Sequence, residues 1–185
     1  MLKPISKTFR GLITITGPTK SGKSQFAEFL INEHKSITYI ATAIPRLNDA
    51  EWETRINIHK KRRPKCWKLL EHPLNICKEI ESMHRDESIL IDSLGGLVEQ
   101  HLTNEEDQWQ LFQENFINCL INTDLAIIVV SEEIGWGIVP STPMGHLFRE
   151  RLSNLSLLLS RHAKRKWLAV HGTIIDLDKV GDKIP

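Results

Sequence analysis

The run Gly17-Pro18-Thr19-Lys20-Ser21-Gly22-Lys23-Ser24 constrains this chain more than any other stretch. It has the spacing G-x-x-x-x-G-K-[ST], in which a glycine-rich turn points successive backbone N–H groups at phosphate oxygens. The motif carries that meaning only between a strand and a helix, and both flanks read that way. Residues 12–16 are apolar and β-branched, and residues 25–31 place Phe26, Phe29 and Leu30 on a helix. The N-terminus of that helix adds a favourable dipole for an anion. In this arrangement Lys23 bridges the terminal phosphates and the Ser24 hydroxyl holds Mg2+. The stretch marks a nucleoside triphosphate site without stating the reaction.

The remaining pattern predicts the rest of an α/β fold. Strands are expected at 36–41, 67–71, 88–92, 125–130, 167–171 and 173–177. Helices are expected at about 49–61, 74–84, 95–102, 104–121 and 144–165. Their alternation predicts a mostly parallel central sheet with helices on both faces, in a single domain over residues 1–185 whose residues 1–10 form an N-terminal extension. Hydrophobic residues at 41% of 185 suffice for its core. Ala41, Thr42 and Ala43 fall at the end of the second strand, the end that faces ligand in open sheets. Asn48 and Glu51 have the spacing of a capping box. Trp52, Ile56 and His59 then share one helix face, with Arg55 beside His59. Asp92 ends a continuous apolar strand, the pattern in which a carboxylate helps hold Mg2+. Gly135 and Gly137 around Trp136 predict a shaped loop at the ligand-facing edge.

Bulk properties exclude several function classes. The formal net charge is +1, which gives no global case for nucleic acid. The local run Lys60-Lys61-Arg62-Arg63 lacks interleaved aromatics and is a poor nucleic-acid patch. Cys66, Cys77 and Cys119 have no metal-ligand spacing, which points to reduced thiols in a cytoplasmic protein. No stretch reaches the length of a membrane span, and the N-terminus does not read as a signal peptide. From the residues alone His59 reads first as an ordinary helix-face residue, and the basic run as a solvated helix end.

Taken with the phosphate-binding turn, three segments resemble one family. They are Tyr39-Ile40-Ala41-Thr42-Ala43; Arg55-Ile56-Asn57-Ile58-His59 followed by Arg63-Pro64; and Glu133-Ile134-Gly135-Trp136-Gly137-Ile138-Val139-Pro140 followed by Phe148-Arg149-Glu150. The chain resembles the bifunctional adenosylcobinamide kinase / adenosylcobinamide-phosphate guanylyltransferases of cobalamin biosynthesis. The resemblance implies two steps: phosphorylation of adenosylcobinamide by a nucleoside triphosphate, then transfer of GMP from GTP through a guanylyl-histidine to give adenosyl-GDP-cobinamide. It places His59 at the guanylylated position, with Lys23 and Asp92 as catalytic partners and Ser24 and Asp92 on Mg2+. Neutral imidazole is a competent nucleophile, and Lys60, Lys61, Arg62 and Arg63 could offset triphosphate charge. Ala41, Thr42, Ala43 and Glu71 would line the nucleotide, and the assembly would be a homotrimer with that site near a subunit interface. Because the turn contacts phosphates and not bases, the kinase step is open to ATP or GTP.

The sequence departs from the family pattern at Lys20 and Glu132, where arginine and asparagine are usual. Along the last long helix, Ser153, Ser156-Leu157 and Ala163-Lys164 replace the usual glycine, N-Q and A-D. Two alternatives follow: a kinase of another small molecule that leaves His59 idle, or a GTP-binding module without turnover.

Overall fold

The computed structural model describes residues 8–46, 49–182 and 184, and leaves out the side chains of residues 51, 52, 53 and 55. The expected capping box of Asn48 with Glu51, and the helix face containing Trp52 and Arg55, therefore lie outside the described residues.

Seven strands form one sheet: β1 (Gly11–Gly17), β2 (Ser36–Ala41), β3 (Lys68–Glu71), β4 (Glu87–Asp92), β5 (Ala126–Glu132), β6 (Arg165–Val170) and β7 (Thr173–Asp176). Their order is β3-β2-β4-β5-β1-β6-β7. Every pairing is parallel except β6 with β7, which is antiparallel. Ala41 pairs with Asp92, Asp92 with Val130, and Gly17 with Glu132. The C-terminal ends of β1, β2, β4 and β5 thus lie side by side.

The helices are α1 (Lys23–Ile31), α2 (Ala50–Arg62), α3 (Ile76–Glu81), α4 (Leu94–Gln100), α5 (Glu106–Ile121), α6 (Pro143–His162) and α7 (Leu177–Val180). Alternate strand residues point to opposite faces, and each face has its own core. Ile89, Ile91, Ile127 and Val129 pack with residues of α3, α4, α5 and α6, among them Ile80, Leu97, Phe116 and Leu155. Leu90, Ile128 and Val130 face the other way, onto Phe26, Ala27, Leu30 and Ile31 of α1 and onto Trp167. A continuous apolar strand such as Ile127-Ile128-Val129-Val130 is the sequence form of burial on both faces.

Several helix boundaries differ from expectation for local reasons. Helix α5 starts at Glu106 because Glu105 and Gln108 form a reciprocal capping box, leaving Asn104 outside. Helix α6 stops at His162, since Ala163 is extended and Arg165 already belongs to β6. Helix α3 is confined to Ile76–Glu81, capped by the Asn75 side chain accepting from Lys78 N at 3.0 Å.

Candidate active site

The Gly17–Ser24 turn links β1 to α1 at the centre of the sheet. Gly17 is required by close approach: a Cβ there would lie 2.3 Å from the Ala169 carbonyl oxygen. Gly22, at φ 95°, sits in the left-handed region as N-cap of α1. Lys20 also has positive φ, at 59°, and its side chain is exposed. Lys23 is buried, and its ammonium donates to the Pro18 carbonyl at 3.1 Å, folding back across the turn. The Ser21 hydroxyl is buried with no hydrogen-bond partner among the described residues.

Asp92 is the hub of the site. Its side chain is 9% exposed. The Tyr39 hydroxyl donates to Oδ2 at 2.7 Å, and the Ser24 hydroxyl to Oδ1 at 3.4 Å. His59 Nδ1 lies 3.6 Å from Oδ2. Burial first, then the Asp92 charge and hydrogen bond, push the Tyr39 phenol far above its usual range, so it stays a donor. Three elements, α1, β2 and α2, thus converge on one carboxylate at the end of β4.

The basic run at the end of α2 does not act as one patch. Lys60 pairs with Glu71 at 3.3 Å, and Lys61 is exposed. Arg62 turns inward and donates to Glu28 of α1 from Nε at 3.0 Å and Nη2 at 2.8 Å. Burial pushes the Glu28 carboxyl above its usual pKa, and Arg62 opposes that rise. Arg62 Nη2 also lies 3.3 Å from His59 Nδ1. The Arg63 guanidinium stacks 4.3 Å above the Tyr39 ring, and its Nη1 is buried without a hydrogen-bond partner among the described residues.

The sheet edge beside Asp92 is braced by residues read differently from sequence. Thr42 was expected to line a nucleotide, but its side chain is fully buried. Its hydroxyl donates to the Ser93 carbonyl at 2.6 Å and accepts from Ser93 N at 2.8 Å, so it ties β2 to the turn after Asp92. Its carbonyl accepts from Gln100 at 2.7 Å. Glu132, the carboxylate in place of the usual amide, points at the start of α4. It accepts from the Ser93 hydroxyl and from Gly95 N at 3.0 Å. An anion suits that helix N-terminus. Ala41 pairs with Glu71 at the adjoining strand ends, and Ala43 follows, half-buried. The loop after β5 is hung on the turn by Glu133 N donating to Gly17 O at 2.9 Å, and Arg149 donates to Gly135 O at 3.3 Å. Trp136, Ile138 and Val139 stay exposed on it. Lys164 lies elsewhere: its N–H donates to Leu12 O at 2.8 Å, at the opposite end of β1 from the turn. Ser156 is half-buried and Leu157 exposed on α6.

Sequence reasoning missed Tyr39, Glu28 and Ser93. The first two left a signal. Tyr39 is the chain's single tyrosine, inside an apolar strand two residues from its ligand-facing end. Glu28 follows Ser24 by one helical turn, which puts both on one face. Ser93 left none, because its partners are distant in sequence.

No group of three or more His, Cys, Asp or Glu capable of holding a metal occurs among the described residues. The hard oxygens of Ser24 and Asp92 suit Mg2+ only with phosphate oxygens or waters completing its shell. A groove of about 1020 Å³ lies away from the turn, against α3, α4 and α5. No helix among the described residues is long and apolar enough to cross a membrane.

Residues 13–177 match the family described as cobinamide kinase / cobinamide phosphate guanyltransferase. The bifunctional adenosylcobalamin biosynthesis protein CobU of Escherichia coli is 29% identical over 176 residues, spanning 87% of this chain and 96% of that protein. CobU of Salmonella typhimurium is 30% identical over the same shares. CobP of Pseudomonas aeruginosa is 31% identical over 161 residues, 85% of this chain and 92% of that one. Among solved structures, a Pyrococcus horikoshii OT3 protein superposes with a TM-score of 0.54 at 12% identity, over 97% of this chain and 94% of its own, a likeness of fold alone.

Proposed function

The chain belongs to the cobinamide kinase / cobinamide phosphate guanyltransferase family, and on that footing we propose that it carries out both reactions on adenosylcobinamide, the second through a guanylyl-histidine at His59. The observation that carries this reading is the meeting of Ser24, Tyr39 and His59 on Asp92. It sets a candidate nucleophile beside a phosphate-binding turn.

In the first step a nucleoside triphosphate lies in the turn, with Lys23 and the N–H groups opening α1 on its phosphates. The buried Ser21 hydroxyl supplies a further donor. The substrate hydroxyl oxygen attacks the γ-phosphorus, the bond to the β-phosphate oxygen breaks, and the hydroxyl proton passes to solvent. Ser24 and Asp92 would hold Mg2+, whose charge offsets that of the phosphates when bound. In the second step a neutral imidazole nitrogen of His59 attacks the α-phosphorus of GTP. An N–P bond forms, the bond to the β-phosphate oxygen breaks, and pyrophosphate leaves. Arg62 and Arg63 offset the charge that develops. Nη1 of Arg63, buried without a hydrogen-bond partner among the described residues, is a donor that such an acceptor would satisfy. The substrate phosphate oxygen then attacks the same phosphorus, the N–P bond breaks, and imidazole is restored. The enzyme acts as a single domain, cytoplasmic and homotrimeric, on GTP and ATP.

The test is the intact mass after incubation with GTP and Mg2+ at neutral pH. A GMP-sized increase is expected, absent in His59→Asn, which keeps phosphoryl transfer. Protein that binds GTP without forming an adduct is instead a kinase of small molecules or a binding module.

A further inference from the structure

We infer that Cys77 and Cys119 are a dithiol modification site, which a small disulfide oxidant closes into a disulfide between α3 and α5. The pair stands apart from the phosphate turn and from His59, and its chemistry is independent of the guanylyl-histidine reading. The two residues are 42 positions apart in the chain and neighbours in the fold. Cys77 follows Ile76 at the start of α3, and Cys119 precedes Leu120 near the end of α5. Ile76, Ile80, Phe116 and Leu120 are buried in one core, which sets how α3 lies on α5. Each cysteine packs at the margin of that core, half-buried, and both line the groove of about 1020 Å³. A small reagent in the groove therefore meets both sulfurs. Cys119 Sγ donates to the Cys77 carbonyl at 3.8 Å, and the two thiols are in hydrogen-bond contact with each other. The sulfurs are already neighbours, so closure asks chiefly for side-chain rotation. Cys66, exposed and ahead of β3, has no such companion among the described residues.

The two thiols have different roles. The hydrogen bond from Cys119 holds Cys77 below the usual thiol value, although burial and Glu81 oppose it. The same contact, then burial and the charge of Cys77, hold Cys119 well above that value. The thiolate is the attacking form, so Cys77 reacts first. Its sulfur attacks one sulfur of a small disulfide such as oxidised glutathione. A mixed disulfide forms, the S–S bond of the oxidant breaks, and one glutathione thiolate leaves. With Cys77 capped, the charge that kept Cys119 protonated is gone. Cys119 loses its proton to solvent and attacks the Cys77 sulfur, and the second glutathione leaves. Two protein thiols are oxidised and one oxidant disulfide is reduced. The two protons lost by the cysteines are matched by those the departing thiolates take up.

The loop closed in this way runs from α3 to α5 and contains β4, Asp92 and α4. A cross-link over such a span restricts the unfolded chain more than the folded one. Oxidation thus stabilises the segment that carries Asp92, and reduction releases it.

The experiment exposes the full-length protein to oxidised glutathione, blocks the remaining thiols with iodoacetamide, and maps peptides by mass without reductant. Wild type is expected to join the peptide of Cys77 to that of Cys119 within one chain, leaving Cys66 outside the link. The oxidised form should melt about 5–10 °C above the reduced one, and dithiothreitol should reverse the gain. Both readouts are made on wild type and need no variant to fold. Cys119→Ser should stop at the mixed disulfide, with glutathione held on Cys77. Cys77→Ser should take up glutathione at Cys119 about tenfold more slowly than Cys119→Ser does at Cys77. Glutathione retained on Cys77 in wild type, a link that includes Cys66, or an oxidised form that melts no higher than the reduced one overturns the inference.

Discussion

Gly96→Ala is the substitution whose cost can be worked most directly from the structure. Gly96 lies in α4 with its Cα against the end of β2. A Cβ there would stand 2.4 Å from Thr42 Oγ1, 2.6 Å from Thr42 C and 2.7 Å from Ala43 N, where ordinary contact begins at 3.4 Å. No flexible side-chain end can move aside: Thr42 is fully buried and its hydroxyl is held at both ends by Ser93. Helix α4 must therefore retreat by something near an ångström, dragging Ser93 and the Gly95–Glu132 bond with it. Overpacking costs about 1–3 kcal/mol, and stretching one Thr42–Ser93 bond adds about 1–2 kcal/mol. At roughly 2–4 °C per kcal/mol for a chain of this size, Tm should fall by roughly 5–20 °C. Ser93 follows Asp92 directly, so the hub shifts as well, and a misplacement on that scale costs on the order of 10²-fold in rate. Thermal unfolding, with adduct and phosphoryl-transfer rates measured well below Tm, reads both effects. The control is Gly137→Ala, in the loop after β5, whose Cβ would meet nothing closer than 3.7 Å. A Gly96→Ala protein with the Tm and rates of that control would refute the reasoning.

Two further substitutions probe the hub and the far edge of the sheet. Tyr39→Phe removes the 2.7 Å donor to Asp92 and should cost about 1.5–3 kcal/mol in urea unfolding, with both reactions slowed and GTP affinity little changed; unaltered rates would show that Asp92 does not need this donor. At Asp176, burial favours the neutral acid, but hydrogen bonds from Arg165 and Lys179 outweigh it and hold the carboxyl below its usual value of 3.8. Its folded-state pKa is thus depressed, so its stabilisation is present above about pH 4 and is lost as pH falls through the lower, folded value. Asp176→Asn should therefore lower stability at neutral pH and narrow its gap to wild type as pH falls below 4, and a gap constant with pH would refute the pairing.

The elements that could be read from sequence were those whose cause is local. The strand around Ile127 announces burial on both faces by its composition, and the phosphate turn announces its flanks by glycine spacing. Even the displaced start of α5 has a local cause, since Glu105 with Gln108 is a capping pair just beyond Asn104, where the expected helix begins. What stayed hidden was set by partners far apart in the chain. Glu132 reads only as a departure from the usual asparagine, and the fold shows that it accepts from Ser93 and Gly95 at the start of α4. Thr42 reads as ligand-facing because it ends a strand, yet Ser93, 51 positions away, takes both functions of its hydroxyl. The basic run reads as one patch, while the 3.6-residue period sends Arg62 to Glu28, Lys60 to Glu71 and Arg63 to Tyr39.

The sharing of Asp92 has a consequence for how the two proposed reactions coexist. Ser24 approaches Oδ1, while Tyr39 and His59 approach Oδ2. On the proposed roles, the carboxylate that would hold Mg2+ on the phosphates is the same group that would orient the histidine. Two triphosphates cannot both use it. On this geometry the kinase and guanylyl steps alternate at one nucleotide seat, and the γ-phosphorus and α-phosphorus are selected by how deep the chain of phosphates sits relative to His59. ATP held in the turn must then block the guanylyl step competitively. Adduct formation measured against rising concentrations of a non-hydrolysable ATP analogue should show an apparent KM for GTP that climbs linearly with unchanged maximal rate. A fall in maximal rate at constant KM would mean two separate seats, and would remove Asp92 from one of the reactions.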